Sequence, residues 1–300
     1  MELQIRNLSK SYPNGTRALQ NVSLTMPLGM FGLLGPNGAG KSTLMRTLAT
    51  LQEADSGSAQ LGSIDVLRQK DAVRKLLGYL PQEFGLYPKV SAETLLSHFA
   101  ALKGIANPKE RRELVQALLQ QTNLFEYRNQ PLGSFSGGMK QRFGIAQALL
   151  GNPQLIIVDE PTAGLDPEER VRFHNLLSAI GENIIVILST HIVSDVSDLC
   201  RNMAIIHQGR VLATGDPADL VASLNGRVWK KAIPRSELLA YQQRFHVISM
   251  RLFGGRTMLH VLQDDQPEPD FEVVTPDLED LYFATIKGFV QSPGPSGPAS

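Results

Sequence analysis

The stretch GPNGAGKST, residues 35–43, decides the fold of this chain. It follows the apolar run MFGLL (30–34) and leads into LMRTLATL (44–51), whose leucines share one face of a helix. A strand, a glycine loop and a helix in this order are typical of an α/β protein that binds phosphate groups. The segments around residues 35–43 are as informative as the residues themselves, because a chance glycine turn would not have a strand before it and a helix after it.

Each residue type in this phosphate loop (residues 35–43) has a chemical reason. Gly35, Gly38 and Gly40 allow the backbone N–H groups to curl around a polyphosphate at the helix N-terminus. Lys41 is then predicted to reach the β- and γ-phosphates, and the Ser42 hydroxyl to bind Mg²⁺. The loop therefore predicts a nucleotide and Mg²⁺ as cofactors.

An acid pair supplies the second half of the predicted site. The run LIIVDE (155–160) places Asp159 and Glu160 at the end of a buried strand, where carboxylates are costly without a cation or hydrogen-bond donors. Asp159 suits the Mg²⁺ shell, and Glu160 suits orienting the water that attacks a phosphoryl group. The alternative, an acid pair that caps a helix, is weakened by the phosphate loop.

Composition excludes some classes of protein. Among 300 residues, Lys plus Arg and Asp plus Glu both number 29, so no global basic field favours nucleic acid as a partner. The longest apolar runs, such as IIVIL (184–188), are far shorter than the ~20 residues that cross a bilayer. The first ten residues lack the apolar stretch of a signal peptide. We expect a soluble chain whose single cysteine, Cys200, fills a core.

The chain divides into three parts by pattern. Continuous apolar runs at 30–34, 155–160 and 184–190 predict strands buried on both faces of an α/β sheet. A purely helical pattern over residues 91–150 interrupts them as an insert. We expect a nucleotide-binding domain over 1–220, with a helical subdomain at about 86–150.

A second, smaller unit is expected over residues 221–288. Two strand-like runs surround Gly254-Gly255, which is a hairpin signal, and Thr275-Pro276 precedes a helical pattern. These features predict a small α+β appendage. Residues 289–300 are expected to form a disordered tail, because the last ten are Pro, Gly, Ser, Gln and Ala only.

These motifs, in this order over residues 1–220, resemble the ATPase subunits of ABC transporters, which have a P-loop NTPase core with a helical insert. The resemblance implies that Tyr12 stacks on adenine, although tyrosine is also common at strand edges. It implies that Gln82 contacts Mg²⁺ and the water, and that His191 orients the γ-phosphate. The phosphate loop then supplies the ATP contacts Gly35, Pro36, Asn37, Gly38, Ala39, Gly40, Lys41, Ser42 and Thr43.

Residues 135–139, FSGGM, resemble the family's signature loop, usually LSGGQ. From the residues alone, Ser136 caps a helix whose first N–H groups, at Gly137 and Gly138, are open to an anion. In the family this loop contacts the γ-phosphate held by a second subunit, so Ser136 to Met139 are expected to act in trans. Met139 stands where the family has an amide. Asp166, in PTAGLDP, is expected at the dimer seam and is also a helix cap.

The resemblance implies a head-to-tail dimer, of this chain or with a related ATPase, that drives separate membrane permease subunits. The chain would then lie peripherally on the cytoplasmic side of the inner membrane, bind no nucleic acid and serve an exporter. Alternatives are an importer ATPase and a non-transport ABC ATPase acting on nucleic acid or ribosomes. The segment 84–96, with Leu86, Tyr87 and Val90, is a candidate permease contact, or simply packs within the helical insert.

Overall fold

The computed structural model describes residues 1–82 and 85–290. Their strands are β1 Glu2–Ser11, β2 Arg17–Pro27, β3 Gly29–Leu34, β4 Ser56–Leu61, β5 Ile64–Asp65, β6 Leu77–Leu80, β7 Leu155–Asp159, β8 Ile185–Thr190, β9 Asn202–His207, β10 Arg210–Gly215, β11 Val228–Ile233, β12 His246–Phe253, β13 Arg256–Leu262 and β14 Glu272–Val273. Their α-helices are α1 Lys41–Leu48, α2 Lys70–Leu76, α3 Ala92–Leu102, α4 Pro108–Gln121, α5 Gly137–Ala148, α6 Pro167–Ile180, α7 Val193–Leu199, α8 Pro217–Ala222, α9 Leu238–Arg244 and α10 Leu278–Ile286. No helix among these residues is long and apolar enough to span a membrane.

A six-stranded sheet in the order β10-β9-β3-β8-β7-β6 forms the centre of the molecule. Its neighbouring strands are parallel except for the antiparallel pair of β10 and β9. Every residue of β7 and β8 is buried, which explains why these strands are apolar throughout instead of alternating. The predicted α/β fold is confirmed.

Alternate residues of the central strands pack into two different cores. Phe31 and Ile157 face one core, which they share with α1 and with an antiparallel sheet in the order β2-β1-β4-β5. Met30 and Ile156 face the other core, which they share with the helices of the insert. Because β3 and β7 both run parallel to β8, the phosphate loop and the end of β7 lie at the same edge of the sheet.

The insert consists of α3, α4 and α5, each started by a polar cap. Ser91 accepts a hydrogen bond from the Thr94 N–H, and Asn107 accepts from the N–H groups of Lys109 and Glu110. Two 3₁₀-helices, Phe125–Tyr127 and Leu132–Ser134, lie between α4 and α5, and Ser91 forms an isolated β-bridge with Pro131. The region is therefore mainly helical, with irregular connections, and not purely helical as predicted. The domain limits at about 86, 150 and 220 stay a prediction.

The C-terminal region is the predicted small α+β unit. Its sheet has the order β12-β13-β11-β14, and the hairpin between β12 and β13 turns at Gly254-Gly255 as predicted. Helix α10 begins after Asp277, which forms a capping box with Asp280, and so starts two residues later than Thr275-Pro276 suggest. This helix packs against α7 and α8, which joins the unit to the part of the chain that contains the central sheet.

Two residues of the predicted tail fall within the described range. The Phe289 ring stacks on the His246 ring with centroids 4.6 Å apart, and Val290 packs against the large core. Residues 291–300 lie outside the described residues, so their disorder stays a prediction.

Candidate active site

The phosphate loop joins β3 to α1, as its flanks predict. Helix α1 begins at Lys41 with no side chain capping it, which leaves its first N–H groups available for an anion. Gly40 has a φ of +106°, and a β-carbon there would lie 2.4 Å from the Ala18 carbonyl oxygen. The loop thus needs glycine at this position both for its backbone angle and for its packing.

Lys41 lies folded across the loop. Its side chain is 4% exposed, and its ammonium donates hydrogen bonds to the carbonyl oxygens of Gly35 at 2.7 Å and Pro36 at 3.2 Å. The same nitrogen is 3.4 Å from Glu160 Oε1. Burial lowers the pKa of Lys41, and the neighbouring Glu160 carboxylate opposes that effect. The predicted role of Lys41 on the phosphates would require phosphate oxygens to replace these partners.

Three of the predicted site residues contact Glu160. Its φ of +48° is a left-handed conformation, which is uncommon for glutamate, and its N–H donates to the Ser189 carbonyl at 2.9 Å. The Oε2 atom lies 3.4 Å from Gln82 Nε2 and 3.1 Å from His191 Nδ1. Three separate segments therefore bring Lys41, Gln82 and His191 onto one buried carboxylate.

Asp159 has the chemistry of a ligand for a divalent cation. Its side chain is 4% exposed, and Oδ1 has no hydrogen-bond partner among the residues that the structure describes. A buried unpaired carboxylate oxygen is what a Mg²⁺ ligand offers before the metal binds. The described residues contain no cluster of three or more His, Cys, Asp and Glu side chains suited to a metal. Mg²⁺ would thus depend on Asp159, on the neutral side chains of Ser42 and Gln82, and on phosphate oxygens.

A cleft of about 540 Å³ opens over the phosphate loop. Tyr12 lines it, and the Tyr12 hydroxyl is 3.2 Å from Thr43 Oγ1 and 3.1 Å from Gln52 Oε1. The sequence prediction missed Arg17, Gln20 and Gln208, which also line the cleft. No motif marks these three, because they reach the cleft only through the placement of β2 beside the turn between β9 and β10.

The signature loop lies apart from this cleft. Ser136 caps α5 by accepting a hydrogen bond from the Met139 N–H at 3.2 Å, as predicted, and none of residues 136–139 lines the cleft. The Met139 side chain packs against the apolar core of the insert. Within one chain, therefore, the structure does not bring Ser136 to Lys41.

Gly138 has a role that the sequence does not reveal. A β-carbon at Gly138 would lie 2.2 Å from Glu169 Oε2, and Glu169 Oε1 is 3.5 Å from the Arg142 guanidinium. Glu169 belongs to the first turn of α6, whose N-cap Asp166 accepts a hydrogen bond from the Glu169 N–H at 2.8 Å. The missing side chain lets the first turn of α5 lie against Glu169 in the first turn of α6.

The sequence profile described as "ABC transporter" matches residues 19–163. The linearmycin resistance ATP-binding protein LnrL of Bacillus subtilis is 34% identical over 75% of this chain and 72% of LnrL. The daunorubicin/doxorubicin resistance ATP-binding protein DrrA of Streptomyces peucetius is 33% identical over 81% of this chain and 73% of DrrA. The chain spans about half of a longer relative, 54% of the probable multidrug ABC transporter ATP-binding protein YbhF of Escherichia coli, at 30% identity.

Solved structures agree with the fold. The ATP-binding cassette MJ0796, in a dimeric post-hydrolysis state bound to ADP and Pi, has a TM-score of 0.65 at 26% identity. The alignment covers 71% of this chain and 98% of MJ0796. The phosphate loop, the buried acid pair and these likenesses together show that this chain belongs to the ATP-binding proteins of ABC transporters.

Proposed function

We propose that this chain is the ATP-hydrolysing, energy-coupling subunit of an ABC exporter, with ATP and Mg²⁺ as cofactors. One observation carries the proposal: Lys41, Gln82 and His191 all contact Glu160 at the mouth of the nucleotide cleft. Phosphoryl transfer needs a positioned water and compensation of charge on the phosphate oxygens. These four side chains are suited to both tasks.

The contacts of Glu160 suggest how binding prepares the site. Lys41 moves from Glu160 to the phosphates when ATP enters, which frees the carboxylate to orient water and accept its proton. His191 and Gln82 keep Glu160 directed at the cleft. When bound, Mg²⁺ neutralises charge on the phosphate oxygens, and Asp159, Ser42 and Gln82 are the residues that would hold it.

A dimer accounts for the position of the signature loop. Because Ser136 lies outside its own chain's cleft, its open helix N-terminus is available to a nucleotide on a second subunit. The structurally similar MJ0796 is described as dimeric. We infer a head-to-tail dimer with Asp166 at its seam, formed by two copies of this chain or with a related ATPase.

Permease subunits are the proposed membrane partners. An apolar cavity of about 640 Å³ lies between the end of α1, β6 and the ends of α3 and α5, and Leu51 and Leu102 are 63% and 72% exposed there. Exposed leucines beside a cavity of this size suit a helical segment of a partner. In the segment first considered, Phe84 lies outside the described residues, Tyr87 is exposed and Leu86 packs inward. We infer that the permease contacts the cavity, with the exposed Tyr87 as a second contact, on the cytoplasmic side of the inner membrane.

Relatives support export over import. LnrL and DrrA are resistance proteins, and a Burkholderia thailandensis relative that is 34% identical is named a Nod factor export ATP-binding protein. The permease selects the transported molecule, so the substrate of this transporter has to be identified with the partner.

The proposal is tested by MgATP hydrolysis of the purified chain, alone and with its co-purified permease. Glu160→Gln should lower turnover by about 10²-fold or more, because it removes the proton acceptor. Glu182→Gln, the same change at an exposed loop residue, is the matched control and should hydrolyse ATP normally. Normal turnover by Glu160→Gln would contradict the assignment, and co-purification with a ribosome instead of a membrane protein would exclude the transporter.

A further inference from the structure

A buried carboxylate lies beside the active site without touching the nucleotide cleft. Asp195 is in the first turn of α7, four residues after His191, and its side chain is 0% exposed. An isolated buried carboxylate is strongly unfavourable, so its partners show what it holds in place.

Each oxygen of Asp195 has its own partners. Oδ2 accepts hydrogen bonds from the hydroxyls of Thr162 at 2.7 Å and Thr190 at 3.0 Å. Oδ1 is 2.6 Å from an Arg170 guanidinium nitrogen and 2.9 Å from His174 Nε2. Arg170 compensates the charge, and the two threonines are the groups that the carboxylate positions.

The hydroxyl of Thr190 links the residues before and after His191. It donates to Asp195 and accepts a hydrogen bond from the Ile192 N–H at 3.0 Å. Both chain neighbours of His191 are therefore tied to one hydroxyl. The His191 side chain is 44% exposed, so packing does little to orient it and the backbone anchor decides where it points.

Thr162 connects the same carboxylate to Glu160. It lies two residues after Glu160, and its hydroxyl shares Oδ2 with Thr190. The segments that carry Glu160 and His191 thus have a common anchor. The distance of 3.1 Å between Glu160 Oε2 and His191 Nδ1 is what this anchor would maintain.

We propose that Asp195 is a positioning residue, which acts through Thr190 and Thr162 to hold His191 against Glu160. This inference rests on the proposed ATP hydrolysis. We expect Asp195 to affect turnover more than nucleotide binding, since no side chain of the phosphate loop contacts Asp195 or the hydroxyls of Thr162 and Thr190. The loop touches Thr190 only through the backbone, where the Gly35 N–H donates to the Thr190 carbonyl at 3.4 Å, and Thr190→Val leaves that bond in place.

Two variants of Thr190 separate positioning from folding. Thr190→Val keeps the shape and removes the hydroxyl, whereas Thr190→Ser keeps the hydroxyl and removes a methyl group. We expect kcat for MgATP to fall about tenfold or more in the valine variant with KM within roughly twofold. The serine variant should retain at least about half of the wild-type kcat. Asp198→Asn, an exposed aspartate one turn along α7 whose nearest histidine contact is 3.9 Å, is the control expected to behave as wild type.

A double variant tests whether the hydroxyl acts through His191. In a His191→Ala chain, Thr190→Val should cause no further loss of kcat, because there is no imidazole left to position. A further tenfold loss in that background would overturn the proposal, as would equal kcat values for the valine and serine variants.

Amide hydrogen exchange gives a readout independent of turnover. The Ile192 N–H should exchange about fivefold faster or more in Thr190→Val, and as in the wild type in Thr190→Ser, because only valine removes its acceptor. Unchanged exchange in Thr190→Val would overturn the anchoring. A wild-type chain that fails to hydrolyse ATP even with its permease would contradict the proposed function instead. The exchange rates would still show whether the Thr190 hydroxyl holds the Ile192 N–H.

Discussion

Replacing Gly138 by alanine is the perturbation whose outcome depends most directly on a contact between two helices. The new β-carbon would lie 2.2 Å from Glu169 Oε2, 2.5 Å from Cδ and 2.9 Å from Cγ. Non-bonded heavy atoms do not approach this closely, so the Glu169 side chain has to rotate away. That movement separates Glu169 from Arg142, which is 8% exposed and keeps only the carbonyl oxygens of Thr122 and Asn123 as acceptors.

Two opposing effects set the change in the free energy of unfolding that Gly138→Ala causes. Separating a largely buried ion pair whose acid can reach solvent costs about 1–3 kcal/mol. Alanine recovers at most about 1 kcal/mol over glycine in a helix. We expect Gly138→Ala to lower the free energy of unfolding by about 1–2 kcal/mol, which corresponds to a decrease in Tm of roughly 2–6 °C.

Gly138→Ala should raise the free energy of unfolding, instead of lowering it, when Glu169 is replaced by alanine. In a Glu169→Ala chain the clashing atoms are gone, so Gly138→Ala should stabilise by a few tenths to about 1 kcal/mol. Gly137→Ala is the matched control, because a β-carbon at Gly137 meets no atom within 4 Å. Urea unfolding of the four chains of this cycle and of the control measures each term. The same destabilisation by Gly138→Ala in both backgrounds would refute the reasoning.

Three further predictions concern other parts of the chain. Ser136→Ala should abolish most ATP hydrolysis, whereas Met139→Gln should stay within a few-fold of wild type in the same assay, because Met139 packs on the core. Gly78→Ala should lower the free energy of unfolding in urea by about 2–4 kcal/mol, since its β-carbon would lie 2.1 Å from the Ala148 carbonyl oxygen, which is backbone and cannot rotate away. Burial raises the pKa of Cys200 to about 12, so its alkylation at pH 8 should be roughly a thousandfold slower than that of a free cysteine until the protein is unfolded. Rapid alkylation of the native chain would contradict this burial.

Helix starts were predictable because their signals are local. Asn107, Ser136 and Asp166 each cap the helix that follows them, and each cap needs only a hydrogen bond to an N–H two or three residues away. The strands of the central sheet were predictable for a related reason: continuous apolar runs of this length are stable only when both faces are covered.

Contacts between distant segments were not predictable in this way. Asp195 gives no signal of its own, since an aspartate in the first turn of a helix is ordinary. Only the packing of α6 and α7 against the end of β8 brings Arg170, Thr162 and Thr190 around it. The return of α10 onto α7 was equally invisible, because its apolar face could have packed within the C-terminal unit.

The sequence by itself determined the phosphate loop, the acid pair, the strands of the central sheet and the helix caps, because each depends on residues close together in the chain. The tertiary structure alone decided that Lys41, Gln82 and His191 meet at Glu160, and that Gly138 makes room for Glu169. These contacts depend on the order β3-β8-β7-β6 and on its register, which sets which strand ends lie side by side. Register across more than a hundred residues is a property of the folded sheet, and no local pattern encodes it.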